Sequence, residues 1–355
     1  MIGSRIERAR HAAGLSQRAL AEQVGLSAMA ISKYERDEIT PGSDVLLRLA
    51  KALAVRVEYF FRTESVELEG IEFRKRASLS KADERRIIAD VQDRLERWVV
   101  LDEIFPPNEA MKFELPKGLP EQVDDFAAIE AVALAVRDAW DLGHNPIPDL
   151  VDTLEERGIR VIVTPYIGKE RFDGLAAEVN GMPVIAIGKE WPGDRQRFTL
   201  AHELGHIILH GRLAEGLSEE KACDRFAGAF LVPGVMVLES LGAKRRWLEP
   251  RELMLLKQEY GLSMAGWSYR ARDMGVLEKT THGKFWGFMR KQGWDKTEPG
   301  PQYPAETSRL FEKRLYHALA EDWVGESRAA ELLGIPLAEF RACRNMECSQ
   351  YAVNQ

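Results

Sequence analysis

Two of the seven histidines of this chain, His202 and His206, stand four residues apart in His202-Glu203-Leu204-Gly205-His206. On a helix, positions i and i+4 share a face. Both imidazoles can therefore turn to one metal ion with a carboxylate beside them, which is the H-E-x-x-H spacing of zinc-dependent hydrolysis. No Pro interrupts residues 197–210, so the motif is expected on a single helix. The plainer reading is a pair of buried helix histidines hydrogen-bonded to their neighbours. A third ligand separates the two readings, because a catalytic zinc takes three protein ligands and keeps one position open. Glu219-Glu220-Lys221-Ala222-Cys223-Asp224-Arg225-Phe226-Ala227 supplies it. Glu220 and Asp224 lie one helical turn apart, so Glu220 can bind the ion while Asp224 accepts the outer N–H of a ligand histidine. Glu219 is the competing ligand, since helix phase is read from sequence only to within a residue. Cys223 falls about a quarter turn from Glu220 and reads as a small buried hydrophobe. Zinc is the expected ion, and manganese or iron also suits two histidines and a carboxylate.

Residues 198–206, residues 220–227 and Phe230-Leu231-Val232-Pro233 together resemble the ImmA/IrrE family of metallopeptidases. The resemblance implies a gluzincin-like site with His202, His206 and Glu220 on zinc and Glu203 as general base. In that role Glu203 takes a proton from water and passes it to the leaving amine. His210, four residues past His206, is expected in the second shell or in packing. Members of the family cut DNA-bound repressors or antitoxin-like proteins, so a regulatory protein is the implied substrate.

A small sheet must support this helix. Residues 159–163 read as a buried strand, and residues 174–179 and 183–187 as a hairpin around Asn180-Gly181. Pro183 is expected to place its strand at a sheet edge, where a substrate backbone could pair. Helices are expected over residues 123–142 and 149–157 before the strands. After them come helices over residues 234–241, 252–260 and 263–274. Trp286, Trp294 and Pro299-Gly300-Pro301 read as a loop, followed by helices over 308–322, 326–333 and 336–346.

Residues 3–62 carry a second signal. A helix over residues 4–13, a second capped by Ser16 and a third capped by Ser27 with Gly25-Leu26 between them have helix-turn-helix spacing. Ile6, Ala9, Leu20, Val24, Ile31 and Tyr34 fall at core-facing positions. A fourth helix after Pro41-Gly42 adds Leu46, Leu49, Ala50 and Leu53, and residues 57–61 close the bundle. The stretch resembles the XRE family of phage-repressor-like DNA-binding domains in Gly14-Leu15-Ser16-Gln17, in residues 21–27 and in residues 31–36. By that resemblance Gln17 and Arg18 touch phosphate, while Ser27, Ala28, Met29, Ser32 and Lys33 face the major groove. Ala28 can offer a base only a methyl contact. Residues 1–62 hold ten Lys or Arg against seven Asp or Glu, and the rest of the chain 39 against 49. So small a surplus predicts loose binding by one domain and a homodimer on paired half-sites. The alternative is a helical bundle used only for protein contacts.

Between the modules, residues 66–76 alternate apolar and polar and predict a hairpin around Gly70. A long helix starts at Ser80, with Asp83 completing a capping pattern, and ends at Pro106-Pro107. Its stripe of Ile88, Val91, Leu95, Trp98 and Phe105 packs on its own domain or forms a dimer contact. The expected fold is α+β and mainly helical. It comprises a five-helix XRE-type bundle at 1–62, a connector at 63–120, a zincin-like peptidase domain with a small sheet at 121–240, and a helical region at 241–355. No apolar run is long enough for a membrane span, and no signal segment opens the chain. The three Cys, at 223, 343 and 348, suit a reducing compartment. These features lead to a cytoplasmic regulator that binds double-stranded DNA and cleaves a repressor or antitoxin-like protein. The alternatives are a non-enzymatic transcription factor with a structural or sensory metal, and one half of a toxin–antitoxin pair.

Overall fold

The computed structural model describes residues 2–62, 66–73, 79–106, 112–165 and 172–347. Cys348, Pro107 and residues 74–76 of the expected hairpin lie outside them. Among the described residues, no helix is long and apolar enough to cross a membrane.

The N-terminal bundle contains α1 (Ile2–Ala12), α2 (Gln17–Val24), α3 (Ala28–Glu35) and α4 (Ser43–Ala52), closed by a 3₁₀ turn at Val57–Phe61. Ser16 and Ser27 start α2 and α3, their hydroxyls accepting the N–H of Ala19 and Ala30 at 3.1 Å each. Gly25 stops α2 at φ 66°, a left-handed conformation open to glycine. Ile6, Leu20, Ile31, Leu49 and Phe60 are buried at the centre.

The second unit is built on a four-stranded sheet of β1 (Glu69–Phe73), β2 (Arg160–Thr164), β3 (Gly174–Val179) and β4 (Met182–Gly188), in the order β1-β3-β4-β2. Asn180 and Gly181 both have positive φ, as a two-residue hairpin turn demands. Two expectations fail here. Gly70 does not turn a hairpin, because β1 runs through it and pairs antiparallel with β3. Pro183 does not mark an edge, because β4 is flanked by β3 and β2. Met182 pairs with Val179 at the turn, so Pro183 opposite Glu178 occupies the neighbouring non-bonded site of the antiparallel ladder. Its missing N–H points to the other side, where the parallel pairing with β2 begins one residue later, at Val184.

Helices cover both faces of the sheet. Val161, Ile185 and Ile187 pack into a core with α6 (Ala128–Ala139), α7 (Leu150–Glu156), α8 (Gly193–Leu209), α9 (Glu219–Leu231), α10 (Gly234–Leu241), α11 (Pro250–Tyr260), α12 (Met264–Asp273) and α13 (Lys279–Lys291). Ile162, Leu175, Val184 and Ala186 face the other way. Their partners are α5 (Lys81–Ile104), α14 (Leu310–Ala320), α15 (Glu326–Leu333) and α16 (Leu337–Arg344). The alternation along each strand follows from its two-residue period. The stripe of α5 is therefore used inside the chain, with Ile87 fully buried where Ile88 was expected. Helix α6 is shorter than residues 123–142: Asp125 caps the N–H groups of Ala127 and Ala128, and Val123 instead bridges to Leu213. Trp286 is helical rather than in a loop, since His282, Phe285 and Met289 give α13 a buried stripe.

Candidate metal centre

The motif occupies the C-terminal half of α8. This helix is buried on nearly every side between the sheet and α9, as its small and apolar residues allow. Two glycines set the spacing. A Cβ on Gly205 would stand 3.1 Å from Cys223 Cα and 3.3 Å from Phe226, so α9 lies against the motif only because position 205 has no side chain. A Cβ on Gly174 would stand 2.5 Å from Thr199 Cγ2 and 3.3 Å from Glu203 Oε1, so β3 begins directly beside the general-base candidate. The connection from α8 to α9 is tied down by the Val123 bridge, with Val123 N–H on Arg212 O at 2.8 Å and Ala214 N–H on Val123 O at 3.0 Å. Glu219 and Glu220 then fall in the first turn of α9, where the helix dipole favours negative charge.

His202, His206 and Glu220 come together, with one potential ligand atom from each lying within 4.8 Å of the others. The two Nε2 atoms are 3.3 Å apart. The Glu220 oxygens stand 3.7 Å from His202 Nε2 and 3.8 Å from His206 Nε2. Bonds of zinc length in a tetrahedron give ligand-to-ligand edges of about 3.4 Å. The outer nitrogens are held as well. His202 Nδ1 donates to Asp224 Oδ1 at 2.9 Å and His206 Nδ1 to Glu219 Oε1 at 3.2 Å. A carboxylate on each Nδ1 keeps the proton there and directs the Nε2 lone pair inward. Two lone pairs at 3.3 Å repel unless a cation lies between them, so the donor set fits a metal ion.

Glu219 thus sits on the outer nitrogen of His206, beside the cluster and not in it. Its adjacency to Glu220 was the only sequence signal for that role. Cys223 is fully buried, and burial, followed by the nearby carboxylates, pushes its thiol far up, so it stays a neutral packing residue. His210 ends α8 and is exposed, one turn beyond His206, so it is not a buried packing residue.

In the N-terminal bundle, Arg18, Ser27, Ala28 and Lys33 are exposed, Ser32 is half-buried, and Met29 is 64 % exposed. Gln17 is drawn inward. Its amide donates to Glu35 Oε2 at 2.6 Å, in a network that Arg10 completes on the same carboxylate.

Comparison with known proteins agrees with both modules. Residues 154–272 match the family model described as an IrrE N-terminal-like domain, and residues 6–60 match the helix-turn-helix model. The chain joins a helix-turn-helix domain to an IrrE-like domain of a metallopeptidase family. Over 60 residues it is 42 % identical to an uncharacterised transcriptional regulator in the ATPase CF(0) region of Rhodospirillum rubrum, covering 17 % of this chain and 56 % of that protein. Over 65 residues it is 34 % identical to the HTH-type transcriptional regulator ImmR of Bacillus subtilis, covering 18 % and 51 %. The chain thus spans about half the length of these relatives. No solved structure matches. The IrrE-like match contains α8, α9 and three of the four strands, and so the whole candidate centre.

Proposed function

We propose that this chain is a DNA-binding regulator whose IrrE-like domain is a zinc endopeptidase acting on a specific regulatory protein of repressor or antitoxin type. The observation that carries the reading is the convergence of His202 Nε2, His206 Nε2 and the Glu220 carboxylate, with both outer nitrogens tied to carboxylates. The described cluster offers three protein ligands, the number of a hydrolytic zinc site, whereas a structural site takes four. Bound there, the ion would supply Lewis-acid polarisation of the scissile carbonyl and acidify a water. Glu203, 1 % exposed and beside the start of β3, takes the proton of the attacking water and returns it to the leaving amine nitrogen. Asp224 and Glu219 hold the imidazoles in the donating tautomer while this proton moves. Exposed Arg18 meets phosphate, and Ala28, Met29 and Lys33 present the major-groove face. A homodimer on two half-sites supplies the affinity that a weakly basic domain lacks, and tethering concentrates the peptidase near DNA-bound targets.

Glu203→Gln is the decisive variant. It is expected to bind zinc at wild-type stoichiometry while cleavage falls roughly 100- to 10,000-fold. Whole-proteome comparison of a wild-type strain with a Glu203→Gln strain should show one regulatory protein accumulating uncut. Wild-type cleavage of that protein by the variant would refute the assignment of the base.

A further inference from the structure

Beside the metal centre a cleft of about 1100 Å³ opens between α8, α9, α12, α13 and residues 294–302. Helix α9 turns Lys221, Asp224, Arg225 and Gly228 toward it, one helical stripe at i, i+3, i+4 and i+7. Helix α8 contributes Asp194, Arg195 and Phe198, and the Phe198 row reaches His202 one turn later. Asp224 belongs to both places, lining the cleft and holding His202 Nδ1. The cleft therefore adjoins the centre through Asp224 and the outer side of His202.

Its charged walls are already paired within the chain. Lys257 is bound by Asp194 at 3.2 Å and Glu298 at 3.0 Å. Arg225 and Arg270 share Glu130, Arg225 and Arg272 share Asp273, and Arg195 pairs with Asp173. Among the described residues, the lining side chains without an ion pair are Glu190, Lys221, Asp295 and Lys296, all exposed and two of each sign. Charge thus gives the cleft no preference. Of the rest, the large side chains are aromatic, Phe126, Trp191, Phe198, Tyr269, Trp286 and Trp294, beside a few uncharged polar ones such as Thr297 and Gln302.

We propose that this cleft receives an uncharged segment of the cleaved protein, with a large aromatic or aliphatic side chain next to the scissile bond. The inference rests on the hydrolytic reading above and names its substrate class. A space of this size exceeds the roughly 300–1,000 Å³ of a small-molecule pocket and suits several residues of extended chain. A neutral floor of rings gains by burying apolar side chains and loses by desolvating charged ones.

Zinc-loaded full-length protein is titrated by calorimetry with five dipeptide hydroxamates that differ only in the side chain nearest the metal-binding group: Phe, Leu, Ala, Lys and Glu. The Phe and Leu compounds should bind on the order of 30-fold more tightly than Ala, and Lys and Glu no more tightly than Ala. Tyr269 is 41 % exposed, so Tyr269→Ala spares the fold. It should lower the Phe advantage several-fold and leave the Ala compound unchanged. Equal affinities across the series, a preference for Lys or Glu, or a Phe advantage indifferent to Tyr269→Ala overturns the inference and leaves hydrolysis standing. Failure of all five to bind protein that still holds one zinc overturns the hydrolytic reading, and this inference with it.

Discussion

Asp224 and Glu219 show how much of a metal site lies one bond beyond its ligands. Each accepts the Nδ1 proton of one histidine, and neither is fully buried. Asp224→Ala is expected to weaken zinc binding roughly 10- to 100-fold without touching a ligand, as competition with a chelating dye would show. Zinc affinity at the wild-type value would mean that the imidazoles hold their orientation without it. Another carboxyl group, away from the centre, makes stability depend on pH. Glu155 is 1 % exposed; Ser308 donates to its Oε1, while its Oε2 has no hydrogen-bond partner among the described residues. Burial pushes its carboxyl from the usual 4.5 up to about 7. The folded chain then keeps a proton that the unfolded chain gives up. Its contribution is complete below about pH 4.5 and is lost as pH climbs through about 7. Glu155→Gln should stabilise the protein at pH 8 by on the order of 3 kcal/mol, with little effect at pH 4.5. Denaturant unfolding at the two pH values checks this, and an equal change at both would count against it.

At the scale of elements, the contact between α8 and α9 decides whether Glu220 reaches the histidines. Gly205 permits it. On helix propensity alone, Gly205→Ala should help, by about 1 kcal/mol. The added Cβ would stand 3.1 Å from Cys223 Cα, however, and backbone cannot swing aside as a side chain can. Gly205→Ala is expected to lower stability by about 1–3 kcal/mol and to weaken zinc binding as α9 moves out. Chemical unfolding of the metal-free protein and a zinc titration read the two effects separately. Helix periodicity in the sequence located α8 and α9, and the serine caps located α2 and α3. It missed α13, because Gly283 and Gly287 interrupt a helical pattern there and the buried row of His282, Phe285 and Met289 is sparse. Pro183 misled for a different reason: a proline excludes one hydrogen-bonding position, and which side of β4 that position faces depends on register.

Across the whole molecule, α5 is the part that joins the two modules. Glu96 is 1 % exposed on α5 and binds both Arg5 and Arg8 of α1. Arg62 reaches Asp93 at 3.2 Å and Glu331 of α15 at 3.4 Å, and Arg56 donates to Ile335 O at 3.0 Å. The opposite stripe of the same helix packs on the sheet. Removing one partner of a buried ion pair leaves the other charge uncompensated, at a cost of about 3–5 kcal/mol. Glu96→Ala should therefore split a single unfolding transition into two in calorimetry, with the N-terminal bundle melting first. A single unshifted transition would show that the bundle is held by other contacts.

Features that a few neighbouring residues specify were legible from the chain alone: two imidazoles on one helix face, an acidic first turn in the next helix, capped helices at helix-turn-helix spacing, and a mainly helical α+β chain. Each is written in a period or a local hydrogen bond, so no distant residue is needed to read it. Long-range packing had to be seen before β4 could be placed inside the sheet, α5 between the modules, and residues 241–347 along a cleft and over the sheet. The same holds for Glu219, whose place on the outer nitrogen of His206 depends on how closely two helices approach. Packing between segments far apart in the chain sets these outcomes, and no short stretch of sequence contains both sides of such a contact.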